Sequence, residues 1–219
     1  MNKLIVAIAT LTLSLMTFAS AEVRVGASIA LTEFDASGTE TLKSSSVTAN
    51  GSHSETALVP ALFAEIGSSD RGIYLGFNYT DVAALGQQSK VRGTDPLSDN
   101  DTGTNVADAD VESLSSIYLL KTIGGSGFFA KLGIASADIT TKEQLATGST
   151  YGNVSVDGMV YGLGYQSNTD TGYFFRAAYE MTEYDGFTLK GATDADSVNN
   201  SIKADIDSTA FTMSLGKSF

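Results

Sequence analysis

The 219-residue sequence has no cysteine and no tryptophan, only two prolines, and a single histidine. Without cysteine there is no disulfide framework, no thiolate metal site and no lipid-modified N-terminal cysteine. Basic residues are scarce: 13 Lys and Arg stand against 25 Asp and Glu, for a formal charge of −12. No basic stripe exists to neutralise phosphates, which argues against nucleic acid as a partner. Unbroken apolar runs are absent after residue 21. No glycine-rich phosphate loop, zinc spacing or nucleotide signature is present, so no cofactor is expected.

What the chain does have begins with an address. Met1-Asn2-Lys3 is a short positive start, Leu4 to Phe18 is apolar, and Ala19-Ser20-Ala21 is a small-residue cleavage site. This is the layout of a secretory signal peptide. A retained membrane helix is the alternative, but an apolar run of about 15 residues falls short of the roughly 20 that a spanning helix needs. The expected division is a signal peptide over 1–21, cut after Ala21, and one mature domain over 22–219.

From Glu22 onward the hydrophobic period is two, the period of a strand with two unlike faces. Val23, Val25, Ala27, Ile29 and Leu31 alternate with Arg24, Gly26, Ser28, Ala30 and Thr32. The same pattern recurs through Leu58–Ile66, Ile73–Tyr79, Phe128–Ile134, Met159–Tyr165, Tyr173–Met181 and Phe211–Phe219. A further segment near 111–123 is apolar on both faces, which leaves its register open. That makes eight segments.

Alternation alone also suits a soluble β-sandwich. The spacing of the links separates the two. Short turns at 67–71, 124–127 and 167–171 alternate with long polar links near 35–53, 84–108, 140–153 and 186–203. Tight turns at one end and long loops at the other are the rhythm of a transmembrane barrel. The expected fold is all-β: an up-and-down antiparallel barrel of eight strands, with both termini at the periplasmic end and four acidic outer loops. Ten strands remain open if 138–158 or 183–207 adds hairpins above the membrane.

With the bulky apolar face toward lipid, Arg24, Glu65, Lys131, Arg176 and Glu180 point into the lumen. Lys121 joins them in one of the two registers of its segment. Strand direction places these charges in the periplasmic half, and buried ions must be paired. A salt-bridge network of Glu65 and Glu180 with Arg24, Lys131 and Arg176 is expected to plug a lumen only just wide enough for its own side chains. Tyr79, Tyr165, Tyr173, Phe128 and Phe219 suit the interfacial aromatic girdles.

The chain ends in Phe219, with Phe211, Met213 and Leu215 at alternate positions before it. On this strand the sequence resembles the small outer-membrane β-barrel family, of the OmpA-barrel and OmpX type, and the resemblance in pattern extends over 22–219. It implies that Phe211, Met213, Leu215 and Phe219 form the sorting signal read by the barrel-assembly machinery. It also implies periplasmic chaperones and outer-membrane lipid as partners, a monomer, and residence in the outer membrane of a Gram-negative bacterium. Lys217 departs from the pattern, which favours an aromatic or aliphatic residue there. Since nothing follows Phe219, no peptidoglycan-binding domain is expected.

Catalysis has one candidate, His53, between Ser52 and Ser54. Neighbouring residues on an extended strand face opposite ways, so this run does not assemble a Ser–His–acid set by itself. Asp99–Asn105 is rich in oxygen ligands at alternate positions, as calcium prefers, but lacks the complete ligand spacing of a calcium loop. Neither a catalytic nor a metal site is expected. The expected function is a structural or surface-exposed membrane role. A small porin is the first alternative, and an adhesin or phage-receptor surface the second.

Overall fold

The computed structural model describes residues 21–41, 48–92, 103–142, 150–192 and 201–219. Ten strand segments follow in order: β1 (Glu22–Thr41), β2 (Thr48–Ser68), β3 (Ile73–Arg92), β4 (Gly103–Thr122), β5 (Phe128–Thr141), β6 (Thr150–Tyr151), β7 (Val154–Asn168), β8 (Tyr173–Tyr184), β9 (Phe187–Ala192) and β10 (Ser201–Ser218). All neighbours are antiparallel, and β1 pairs with β10 from Arg24↔Ser218 to Thr41↔Ser201, which closes the sheet into a barrel. The termini are locked together as well, with Phe219 N donating to Val23 O at 2.9 Å and Val23 N to Phe219 O at 3.2 Å.

The barrel has eight staves. β8 last pairs with β10 at Glu183↔Asp207, and β9 takes over from Phe187↔Ala204 to Lys190↔Ser201. β6 pairs with β9, so it continues the stave of β7. The described parts of the stretches that could have added hairpins, 138–142, 150–158, 183–192 and 201–207, lengthen existing staves instead. At the end holding both termini, tight turns close the hairpins. Gly72 (φ 60°) and Gly172 (φ 82°) occupy the left-handed conformation that only glycine takes without strain. Each donates its N–H back three residues, to Ser69 O and Thr169 O, at 3.1 Å.

The staves are longer than expected. β1 to β4 hold 20, 21, 20 and 20 residues, where about 9–11 suffice to cross the hydrocarbon. Much of what alternation marked as long links at 35–53, 84–108 and 186–203 is strand. The reason is a change of parity. On β1 every odd residue faces out, but the outward set runs Val23, Val25, Ala27, Ile29, Leu31 and then Glu33, Asp35, Ser37. Leu31 lies between Leu58 and Phe211, whereas Glu33 lies between Thr56 and Thr209, and Asp35 between Ser54 and Asp207. On the far side, Met159 pairs with Ile134 and Asp157 with Ser136. The apolar belt therefore stops at one level around the wall.

Above that level the apolar side chains turn inward. Phe34, Val59, Val111, Ala137, Ile139, Val156 and Ile206 form one buried cluster inside the barrel. The wall thus carries an exposed apolar belt below, and a polar outer face around an apolar interior above. The expectation that the bulky face looks outward fails in the upper half, and even in the lower half Phe63, Tyr74, Tyr118, Leu120, Phe129 and Phe174 point inward. β4 follows its neighbours, with Tyr118 and Leu120 inward and buried and Lys121 outward and exposed, its Nζ donating to Arg71 O at 2.6 Å. Lys121 is therefore not part of the lumen.

One seam interrupts the wall. β2 and β3 are hydrogen-bonded only from Ser68↔Ile73 up to Leu62↔Tyr79, although both strands continue upward, β2 on β1 and β3 on β4. Pro60 stands on β2 just above the last pair, where a proline with no N–H fits an unpaired edge.

Replacing Phe34 by alanine is expected to lower the unfolding free energy by about 3–5 kcal/mol, the usual cost of emptying a packed aromatic site. Glu33→Ala, one residue away on the wet face, should change it by less than about 0.5 kcal/mol. Urea titration of the vesicle-embedded protein checks both.

Candidate functional site

The lower lumen is built from four aromatic rings laid flat against the wall. Each sits over a glycine directly opposite on the adjoining strand: Phe63 over Gly26, Tyr118 over Gly76, Phe129 over Gly164 and Phe174 over Gly216. A Cβ on these glycines would lie 2.3–2.4 Å from the ring Cζ, so no other residue fits. Lying flat, the rings leave the axis of a narrow barrel free for charged side chains.

Arg176 and Glu65 meet on that axis. Arg176 Nη1 donates to Glu65 Oε1 at 2.8 Å and Nη2 to Oε2 at 3.0 Å, a two-pronged pair with the Glu65 side chain fully buried. Tyr118 OH donates to Glu65 Oε1 at 2.8 Å. Arg176 Nε and Nη2 also reach Gln166 Oε1, at 3.2 and 2.8 Å. The guanidinium lies 5.1–5.4 Å from the ring centres of Phe129, Phe174 and Phe63, within the range of cation–π attraction.

Arg24 lies beneath. Its Nη1 is 3.9 Å from Glu65 Oε2, its Nε donates to Glu22 Oε1 at 2.7 Å, and its Nη2 to Tyr74 OH at 2.6 Å. Tyr74 OH passes a hydrogen bond on to Glu22 Oε2 at 3.1 Å. Lys131 and Glu180 form a separate pair with Nζ 2.9 and 3.0 Å from the two carboxylate oxygens. Lys131 Nζ also lies 4.2 Å above the Tyr118 ring, so Tyr118 joins the two pairs. The structure brings all five charged residues into the lower lumen, with Arg176 and Arg24 on either side of Glu65 and Lys131 paired separately with Glu180.

Glu22, Tyr74, Tyr118 and Gln166 are partners that the sequence reading missed. Gln166 was on the polar side of its segment and could have been included. Tyr118 was hidden by the two-faced pattern of β4, and Tyr74 by being bulky on a face expected to be small.

Between this plug and the apolar cluster above it lies a chamber of about 90 Å³. Thr32, Thr80, Ser208 and Ser214 contribute buried hydroxyls to its wall. Lys131 and Glu180 reach it from below, and Val59, Leu114 and Val160 from above.

The remaining candidates lie elsewhere. His53 faces the lumen near the upper rim, with Nε2 3.5 Å from Glu55 Oε2. Ser54 faces out and donates to Asp35, so strand geometry separates this serine from the histidine. Asp99–Thr102 and the signal peptide with Ala19 lie outside the described residues; Ala21 immediately precedes β1. Phe211, Met213, Leu215 and Phe219 all face outward and are exposed, as are Tyr79, Tyr165, Tyr173 and Phe128. Phe128 and Tyr165 stack edge to face with centroids 5.3 Å apart. Lys217 Nζ sits 5.1 Å from the Tyr173 ring and 5.2 Å from that of Phe219, so its charge rests on aromatic faces.

No family model and no curated protein matches this sequence. Solved structures do. The outer membrane protein OprG of Pseudomonas aeruginosa superimposes with a TM-score of 0.57 at 12% identity, over 91% of this chain and 96% of that one. The outer membrane protease OmpT of Escherichia coli gives 0.50 at 7% identity, over 93% and 99%. The fold is that of an outer-membrane β-barrel, a closed antiparallel wall of eight staves.

Glu65→Gln should destabilise the barrel by about 3–5 kcal/mol, because it leaves Arg176 charged and unpaired among aromatic rings. The double change Glu65→Gln with Arg176→Met should recover most of that loss. Denaturant midpoints of the four proteins in vesicles test the coupling, and simple additivity would count against it.

Proposed function

We propose that this chain is an integral outer-membrane protein with a structural, surface-exposed role, whose lumen is closed to water and ions. The observation that carries this reading is the Glu65–Arg176 pair, held across the axis by two parallel hydrogen bonds and enclosed by the Phe63, Phe129 and Phe174 rings. An ion would have to break the pair to pass, and then cross the apolar cluster around Phe34 and Val156. Two barriers of opposite character in series support a sealed wall over a small porin.

The apolar belt supplies the membrane anchor, and the polar wall above it carries the chain outward past the lipid. Surface contact, including adhesion, belongs to that upper wall. Export with removal of residues 1–21, handling by periplasmic chaperones, and recognition of Phe211, Met213, Leu215 and Phe219 by the assembly machinery complete the proposal. The outward orientation of those four side chains supports it, as does the locking of Phe219 to Val23. The protein is proposed to act as a monomer.

Planar-bilayer recording is the direct test. The wild type should give no stepwise conductance at high protein load, and brief openings should need both barriers weakened, as in Glu65→Ala with Arg176→Ala and Phe34→Ala. Regular wild-type steps would replace the sealed reading with the porin. Recovery from an outer-membrane fraction as a heat-modifiable gel band checks residence and fold.

A further inference from the structure

The chamber above the plug lies behind an interruption in the wall. The ladder between β2 and β3 ends at Leu62↔Tyr79, yet the apolar belt continues upward on β2 through Pro60 to Leu58. The wall is therefore unzipped while still facing lipid. Several features converge on this place. Pro60 removes a backbone donor at the first position above the ladder. Its carbonyl, pointing across the seam, accepts a hydrogen bond from the side chain of Thr80 at 3.0 Å in place of a backbone N–H. On the other leaf, β4 bulges between Glu112 and Ser115, where Ser113 adopts φ 52°. A non-glycine residue there is strained, and the bulge bends the β3–β4 leaf.

Backbone groups left unpaired in hydrocarbon cost several kcal/mol each, so something polar must meet them. Directly behind the seam is the chamber, whose lining includes Ala61 from β2 and Asn78 and Thr80 from β3. Asn78 Oδ1 is buried and makes no hydrogen bond. The ion pairs lie below the chamber and the apolar cluster above it, and the seam adjoins it at the side.

We propose that the chamber is a binding site for a small amphipathic molecule, one polar group on a short apolar body, which enters from the membrane through the seam between β2 and β3. The polar group takes the place of water at Asn78, Thr80 and the Lys131–Glu180 pair. The apolar body lies upward against Val59 and Val160. A cavity of about 90 Å³ holds a few waters or one such small body, not a lipid acyl chain. The site is a dead end, which distinguishes it from a pore. The inference rests on the sealed, lipid-embedded reading above.

The absence of native cysteine makes the test clean. Val160→Cys places one thiol in the chamber wall, on a stave across the lumen from the seam. In the folded chain in phosphatidylcholine vesicles, N-ethylmaleimide, which partitions into lipid, should modify this thiol within minutes. A membrane-impermeant cationic methanethiosulfonate should not. Millimolar benzyl alcohol should slow the maleimide reaction severalfold by occupying the chamber, and Pro60→Val, which restores the missing donor, should slow it at least tenfold.

A thiol that reacts only after unfolding overturns the proposal, as do an unchanged rate in Pro60→Val and indifference to benzyl alcohol. Rapid reaction with the cationic reagent overturns the sealed reading as well, since water then reaches the chamber from an end. Silence to both reagents in a non-conducting barrel removes the seam alone. Amide hydrogen exchange is the second measurement. Leu58 and Asp81, whose N–H groups face the seam, should exchange far faster than Leu31 and Phe211, which pair with each other at the β1–β10 junction; equal protection overturns the open seam.

Discussion

A polypeptide wall in hydrocarbon has no water to satisfy its N–H and C=O groups, so each strand must find a partner on both sides. In this chain the requirement is met by joining the first stave to the last along nearly their whole length, from Arg24↔Ser218 to Thr41↔Ser201. Closure at eight staves then fixes the bore, and the bore is so narrow that side chains must fill it. The remaining architecture follows from how that filling is achieved. Rings folded over opposing glycines occupy the periphery, and a two-pronged ion pair occupies the axis. Neither works without the other. Upright rings would collide on the axis, and an ion pair without surrounding rings would leave voids that admit water and weaken the electrostatic attraction.

Once the wall leaves lipid, the solvent on its outer side changes and the side chains change with it. Outward Glu33, Asp35, Asp157 and Asp207 replace outward Leu31, Met159 and Phe211, while Phe34, Val156 and Ile206 turn in to form a core like that of a soluble barrel. The backbone keeps its alternation on these staves, and only the assignment of apolar residues to odd or even positions switches. A single closed sheet thereby works in two solvents without a break in the ladder at the β1–β10 junction.

This switch explains what could be read from the sequence. The lower half is legible where a segment sets large apolar residues against small or charged ones, as Val23–Leu31 and Phe211–Phe219 do, and less so where Phe63, Tyr74, Phe129 and Phe174 put large rings on the inner face. The upper half reads as loops when a single parity is followed, and Leu31 followed by Phe34 breaks that parity. The signal was present: Ile134 and Ile139, or Met159 and Val156, differ by an odd number of positions and so cannot share a face of a regular strand. Inward placement of Arg24, Glu65, Lys131, Arg176 and Glu180 followed from alternation alone, because charge on the lipid face is so costly. Their division into an Arg24–Glu65–Arg176 group and a Lys131–Glu180 pair did not, because pairing across the lumen depends on barrel stagger, which no local pattern encodes. The seam was likewise out of reach. Pro60 marks it only after the neighbouring stave is known to stop pairing at Tyr79.

A buried ion pair is weak as a source of stability, because desolvation offsets much of its attraction. Its value here lies in telling the two faces of each stave apart. A one-residue slip in register moves every side chain to the opposite face, and a stave apolar on both sides would accept either arrangement. β4 is nearly such a stave, with Ile117 and Leu119 outward and Tyr118 and Leu120 inward. Among its described side chains it carries no lumen charge of its own. Its facing is set by Tyr118, whose hydroxyl bonds Glu65 and whose ring fits over Gly76. With Leu119 or Leu120 in its place, neither contact could form. The charged axis thus fixes register in the lower barrel, and the seam opens where that influence ends, one dipeptide above the last glycine-seated ring on β2 and beneath the apolar core that takes over.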